Sequence, residues 1–194
     1  MKQTERSEEL SLATPRLHLH PFGEGDFEAF YASCVCDPAV MAFYHAYGLI
    51  RSDEERRVRA RRDFLEHFDE GRRARNYVCW ALTPGPALPA PGGTFMGWCG
   101  ILTPALGEES WGPELAYMLA RPWHGLGLAT EAATAVMADA WQRYGLSRLH
   151  AVVDTPNLAS RRVLERLGLC SHGAVEVYGS ADMLLYTATA PPAA

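Results

Sequence analysis

Apolar and polar residues alternate along the chain with a period that changes several times, and each change predicts an element. Arg16-Leu17-His18-Leu19-His20 alternates with period two and reads as a strand. Phe27, Phe30, Tyr31 and Val35 recur at helical spacing and predict a helix over 26–36. Residues 37–51 are irregular and aromatic, with Phe43, Tyr44 and Tyr47. Ser52-Asp53-Glu54-Glu55 is a capping box that opens a charged helix to about Phe68, closed by Gly71. Strands follow from Asn76 to Leu82, Phe95 to Leu102 and Glu114 to Leu119, the first two separated by the Pro/Gly run Pro84–Gly93. A turn then opens a helix to about Tyr144, stopped by Gly145. The rest reads as a strand Leu149–Val153, a helix Asn157–Leu167 ended by Gly168, and strands Leu169–Val177 and Met183–Thr187. This order predicts an α+β (α/β mixed) domain around one central mixed sheet, over residues 13–189, with tails at 1–12 and 190–194.

Composition narrows the function. With 194 residues and 48% apolar content, one domain with a sizeable core is expected and a wholly disordered chain is excluded. The net charge of −5 disfavours a dedicated nucleic-acid binder. Lys2 is the one lysine against 17 arginines. Cys34, Cys36, Cys79, Cys99 and Cys170 have no disulfide-framework spacing, which points to reduced thiols in a cytoplasm. Met1 to Leu10 is polar, so no signal peptide is expected. The charge-free stretch between Arg75 and Glu108 is long enough for a bilayer, but Pro84, Pro86, Pro89, Pro91 and Gly92-Gly93 break it.

Candidate chemistry concentrates in Gly125-Leu-Gly127-Leu-Ala129-Thr130, between a strand and a helix. Two glycines let successive N–H groups converge, and the helix start adds unpaired donors and partial positive charge. Together they suit a phosphate or pyrophosphate; the plain alternative is a connecting turn. A P-loop is absent, and a dinucleotide fold fits poorly because Thr130 replaces its third glycine and only 40 residues follow Asp154.

The segment Glu114-Leu-Ala-Tyr-Met-Leu-Ala-Arg-Pro-Trp-His-Gly-Leu-Gly-Leu-Ala-Thr-Glu-Ala resembles the pyrophosphate-binding motif of GNAT N-acetyltransferases. It looks most like the RimJ/RimL branch, which acetylates protein N-termini. Two further blocks, Ala13–Phe22 and Asp154–Gly168, resemble that branch in the same order. The resemblance implies the GNAT fold, a mostly antiparallel mixed sheet flanked by helices. It implies acetyl-CoA as cosubstrate, with its pyrophosphate against the amides of Gly125, Leu126, Gly127, Leu128, Ala129 and Thr130. It places backbone groups near Met118 and Leu119 beside the pantetheine arm and the thioester, where an N–H holds the oxyanion. His124 stands where many members carry Arg or Gln. Leu164 stands where many carry a tyrosine general acid, so Ser160 becomes the candidate proton donor. Asn157 is placed near the pantetheine arm and also reads as an N-cap.

A base must take a proton from the ammonium of the acceptor. Glu114 is the first choice, with Glu108 and Glu109 as rivals, and Glu114→Gln is expected to lower kcat most at low pH. The expected reaction is direct attack in a ternary complex, on a protein N-terminal α-amine. A small amine (aminoglycoside, polyamine) and a non-catalytic CoA sensor are the alternatives. No metal, nucleic acid or membrane partner is expected, and the chain reads as a monomer or homodimer. His18 and His20 share one strand face, Cys34 and Cys36 diverge, and the Arg-rich helix from Asp53 reads as a salt-bridged solvated face.

Overall fold

Alternation dictates the strands, and the strands form one sheet. The computed structural model describes residues 10–44, 50, 52–64, 79–102 and 109–192. Its strands are β1 (Leu12–Ala13), β2 (Leu17–Pro21), β3 (Cys79–Pro84), β4 (Gly97–Leu102), β5 (Glu114–Leu119), β6 (Arg148–Asp154), β7 (Cys170–Val177) and β8 (Ser180–Thr189). They lie in the order β1-β2-β3-β4-β5-β6-β8-β7. All neighbouring pairs are antiparallel except β5 and β6. The described helices are α1 (Phe27–Phe30, continued by a π-helical turn Tyr31–Val35), α2 (Asp53–Phe64), α3 (Leu128–Gln142) and α4 (Leu158–Arg166). The predicted mixed sheet with flanking helices is therefore present, and α3 supplies the crossover that parallel strands need.

Each face of the sheet buries its own core. On one face, Leu17, Leu19, Leu115, Leu119 and Leu149 pack with Leu164 of α4 and the stripe Leu128, Ala132, Ala133, Val136, Met137 and Ala140 of α3. That stripe recurs at helical spacing, and its alanines let α3 lie close to the strands. Burying each large aliphatic chain contributes about 1.5–3 kcal/mol. On the other face, Phe22, Phe27, Phe30, Tyr31, Ala81 and Trp98 form a second cluster. Tyr31 donates its hydroxyl to the Asp53 carboxylate at 2.8 Å, tying the π-turn to the start of α2.

Several boundaries differ from the sequence reading. Leu12, read as tail, pairs with Leu19 in β1, and Leu10 accepts a 2.8 Å hydrogen bond from the Trp80 indole. The helix over 26–36 changes to π geometry after Phe30. Ser52 caps α2 by accepting from Glu55 N at 3.1 Å, as the capping box implies. The stretch to Phe68, Gly71, Tyr47 and the strand start at Asn76 lie outside the described residues. β8 is longer than Met183–Thr187, because its whole length has partners in β6 and β7.

The Arg-rich helix is a salt-bridged face: Arg57 pairs with Glu28, Arg61 pairs with Glu24, and both guanidinium groups lie over the Phe27 ring. His20 meets Asp26 at 3.0 Å, and no group of three potential metal ligands occurs among the described residues. No described helix is long and apolar enough to cross a membrane.

Gly97 sits where β4 and β5 come closest. Its φ is +140°, and a Cβ there would lie 2.2 Å from the Met118 carbonyl oxygen. Both facts exclude a side chain. Gly97→Ala is expected to lower stability by about 2–3 kcal/mol, measured by urea unfolding, since β5 must shift to admit the methyl.

Candidate active site

Two strands that begin together and then part create the opening. β5 and β6 pair at one position, Glu114 with His150. His150 N donates to Pro113 O at 3.0 Å, and the His150 ring donates from Nδ1 to Gly112 O at 2.8 Å. Beyond that point β5 stays paired with β4 through Leu119, while β6 turns its bonds to β8. Backbone polarity alternates along a strand. Pro113 faces β6, and Ala120 N bonds Met96 O on the β4 side. Tyr117 and Leu119 therefore turn their N–H groups into the gap. Met118, expected there from the resemblance, instead turns its backbone groups toward Trp98. The Leu119 carbonyl already accepts from His124 Nε2 at 2.7 Å, so His124 braces the strand end.

The glycine-rich loop lies just past β5. Arg121–Trp123 is a short 3-10 turn, His124 is extended, and Gly125 and Gly127 have φ of +76° and +77°. Those left-handed angles need glycine and turn the loop amides outward ahead of α3. Leu128, Ala129 and Thr130 form the first turn of α3, with donors unpaired within the helix. The Thr130 hydroxyl oxygen is buried without a hydrogen-bond partner among the described residues. The loop fits a diphosphate: two left-handed glycines, the unpaired donors of the first turn of α3 and an orphaned hydroxyl.

A staple fixes this loop to the N-terminal block. Glu131 accepts from Thr14 Oγ1 at 2.6 Å, from Arg16 N at 3.0 Å and from Arg16 Nε at 2.6 Å. Arg16 Nη1 also donates to Leu126 O at 2.8 Å. Burial works to raise the Glu131 carboxyl, but hydrogen bonds from Thr14 and Arg16 outweigh it and hold the group below the usual range. The sequence reading left Thr14, Arg16 and Glu131 without a role.

Glu114 lies where the gap begins, at the pinned end of the two strands, on the sheet face that carries α1 and α2. It is buried, and burial pushes its carboxyl up to about 7, against the lowering effect of a hydrogen bond from the Tyr178 hydroxyl. His150 Nε2 is 3.9 Å from Glu114 Oε2. Burial lowers the His150 pKa, so the ring is neutral near pH 7 and gives the carboxylate no cationic partner. Glu108 lies outside the described residues, and Glu109 opens a 3-10 turn that ends at Trp111.

Across β5, Asn157, Ser160 and Tyr117 form a hydrogen-bonded group. Asn157 caps α4 by accepting from Ser160 N at 3.1 Å. Ser160 Oγ lies 2.8 Å from the Tyr117 hydroxyl, which also donates to Ser160 O at 3.2 Å. Burial raises the Tyr117 phenol, more than its bond to Ser160 lowers it, and keeps it protonated. Leu164 is buried core, as its substitution for a tyrosine implies. The sequence pattern singles out Ser160 and Asn157 but not Tyr117. The signal was available: Tyr117 shares a β5 face with Leu115 and Leu119, where a phenol needs a partner.

A sheet parted between two parallel strands, with a diphosphate-fitting loop at the end of the first, defines an acyl-CoA-dependent acyltransferase. The chain belongs to the acetyltransferase (GNAT) domain family, whose model matches residues 16–169. It is an acetyl-CoA-dependent N-acetyltransferase. A curated relative, the uncharacterized protein YkkB of Bacillus subtilis (strain 168), is 28% identical over 158 residues, 81% of this chain and 84% of that one. An acetyltransferase of Agrobacterium tumefaciens str. C58 superposes with a TM-score of 0.72 at 23% identity, covering 93% of this chain and 94% of that one. RimL, a ribosomal L7/L12 alpha-N-protein acetyltransferase in complex with coenzyme A, superposes with a TM-score of 0.66 at 16% identity, over 92% and 96% of the two chains.

The raised Glu114 pKa makes a stability prediction. The unfolded carboxyl releases its proton near 4.5 and the folded one near 7, so the fold holds the extra proton between them. Stability therefore falls as pH rises through that window, by up to about 3 kcal/mol. Glu114→Gln is expected to remove this slope, matching wild type below pH 4.5 and exceeding it at pH 8. Chemical denaturation at both pH values checks it.

Proposed function

We propose that the acceptor is the α-amine of a protein or peptide N-terminus, with Glu114 as general base. The observation that carries this reading is the buried carboxyl where the strand gap begins, raised to about 7. A base of that strength matches an α-ammonium, which releases its proton near 7.7–8.0, far better than a lysine ammonium near 10.4. RimL, which superposes on this chain, is an alpha-N-protein acetyltransferase, and that activity supports the same choice. The reduced, unpaired cysteines agree with a cytoplasmic setting.

The amides of Gly125 to Thr130 would take the pyrophosphate of acetyl-CoA, and the Tyr117 and Leu119 N–H groups would face the pantetheine arm and thioester oxygen. Glu114 takes one proton from the ammonium and passes it to water. The amine lone pair attacks the thioester carbonyl carbon, and the C–N bond forms as the oxygen gains charge. The oxyanion rests on a backbone N–H at the strand gap. Collapse breaks the C–S bond, the nitrogen loses its second proton to solvent, and sulfur takes a proton from Ser160. Tyr117 restores the Ser160 hydroxyl and is itself reprotonated from water. The products are an N-acetyl peptide, CoA thiol and one released proton.

The test is thiol release from acetyl-CoA with three acceptors: a peptide with a free α-amine, the same peptide α-blocked but carrying a lysine, and a polyamine. Turnover with the first alone is expected. Turnover with the polyamine alone, or binding of CoA without turnover, overturns the reading. Glu114→Gln is expected to lower kcat about a hundredfold. The loss is greatest between about pH 7 and 8, where Glu114 is ionised and the amine is still charged. The sequence alone puts this maximum at low pH; on the present reading it lies higher, because burial keeps Glu114 protonated at low pH. Glu131→Ala is expected to raise KM for acetyl-CoA about tenfold with kcat little changed, measured by steady-state kinetics. It releases the staple and costs the loop its preorganisation.

A further inference from the structure

We propose that Tyr178 is a positioning residue for catalysis: its hydroxyl holds the Glu114 carboxylate in place for proton removal from the acceptor. The inference rests on Glu114 being the base. Tyr178 occupies the tip of the β7–β8 hairpin, where Val177 pairs with Ser180 across a two-residue turn. Both turn residues are left-handed, Tyr178 at φ 53° and Gly179 at 74°. Such a turn favours Asn, Asp or Gly at its first position, and a bulky residue there is strained.

Packing does not explain the tyrosine, since the residue is 58% exposed. What its side chain does make is the hydrogen bond from its hydroxyl to Glu114 Oε2. β8 and β7 lie beyond β6 from β5, so the hairpin tip must reach across β6 to meet Glu114. Strain, exposure and reach all serve one contact, the pattern expected where backbone strain is kept for function.

Two other described groups face Glu114. From β6, His150 is neutral and its Nε2 stands 3.9 Å away. From the segment before α2, Tyr44 has its phenol pushed up to about 12, first by burial and then by Asp63 and Glu114, with Arg59 opposing. The Tyr178 phenol is raised, first by the burial of its hydroxyl end against Glu114, although the residue as a whole is exposed, and then by the Glu114 charge, so it stays a donor. A donor on Oε2 favours the ionised carboxylate and leaves Oε1 as the oxygen that takes the proton.

The experiment measures kcat/KM against pH, with acetyl-CoA and a peptide bearing a free α-amine, for wild type, Tyr178→Phe, Tyr178→Gly and Glu114→Gln. Tyr178→Phe is expected to move the acid limb from about pH 7 upward by about one pH unit, roughly a tenfold loss on that limb, with Tm unchanged. Tyr178→Gly relieves the left-handed strain and is expected to show the same kinetic shift with Tm equal or higher. A wild-type acid limb in Tyr178→Phe overturns the proposal. If Glu114→Gln loses the limb while Tyr178→Phe keeps it, the positioning role fails alone. If Glu114→Gln keeps the limb, the base assignment fails with it.

Discussion

The candidate active site depends on one pairing, between Glu114 and His150, the single position at which β5 and β6 are in register. A parallel sheet would ordinarily continue such a ladder, each step adding a hydrogen bond. Here three contacts lock His150 to the segment before β5: its N–H to Pro113 O, its Nδ1 to Gly112 O, and its ring edge against Trp111 at a 5.4 Å centroid distance. The strands are thus pinned at one end and free to diverge at the other. The Nδ1 bond commits that proton, and burial, against the raising effect of the backbone bonds, keeps the ring uncharged. His150 therefore shapes the gap and withholds a counter-charge from Glu114, which lets burial raise that carboxyl toward neutrality.

The Thr14–Arg16–Glu131 staple does comparable work at the loop. Anion binding by backbone amides needs donors already aimed, because ordering a loop at the moment of binding weakens affinity. Gly125 and Gly127 make the turn possible, yet glycine alone leaves it loose. Glu131 stands one residue after the last loop position and receives three donors from a segment more than a hundred residues earlier. The Ala13–Phe22 block and the glycine loop, far apart in the chain, are one object in space.

Much of this was legible in the chain. Period-two runs located most of the strands, and helical spacing located α3 and α4, because those elements answer to local pattern. Gly125, Gly127, Glu114, Ser160 and Asn157 were legible as residue types at element ends. Contacts between distant strands were not. Tyr178 reads as one more tyrosine near a glycine until the hairpin is folded across β6. Tyr117 reads as a core aromatic until α4 brings Ser160 beside it. β1 has two residues, too few to show a period. The sign of the Glu114 pH effect depends on burial and on the neutrality of His150, neither of which spacing reveals.

β5 also explains how one site can hold a base and an acid together. Successive side chains on a strand point to opposite faces, so positions an odd number apart are separated by the sheet itself. Glu114 lies on the face of α1 and α2, toward the hairpin tip; Tyr117 lies on the face of α3 and α4, against Ser160. Placed across the strand, under the proposed mechanism they would exchange protons with a substrate in the gap: Glu114 from the amine side, Tyr117 and Ser160 from the sulfur side. The backbone between them, at Tyr117 and Leu119, is where the carbonyl of that substrate would lie.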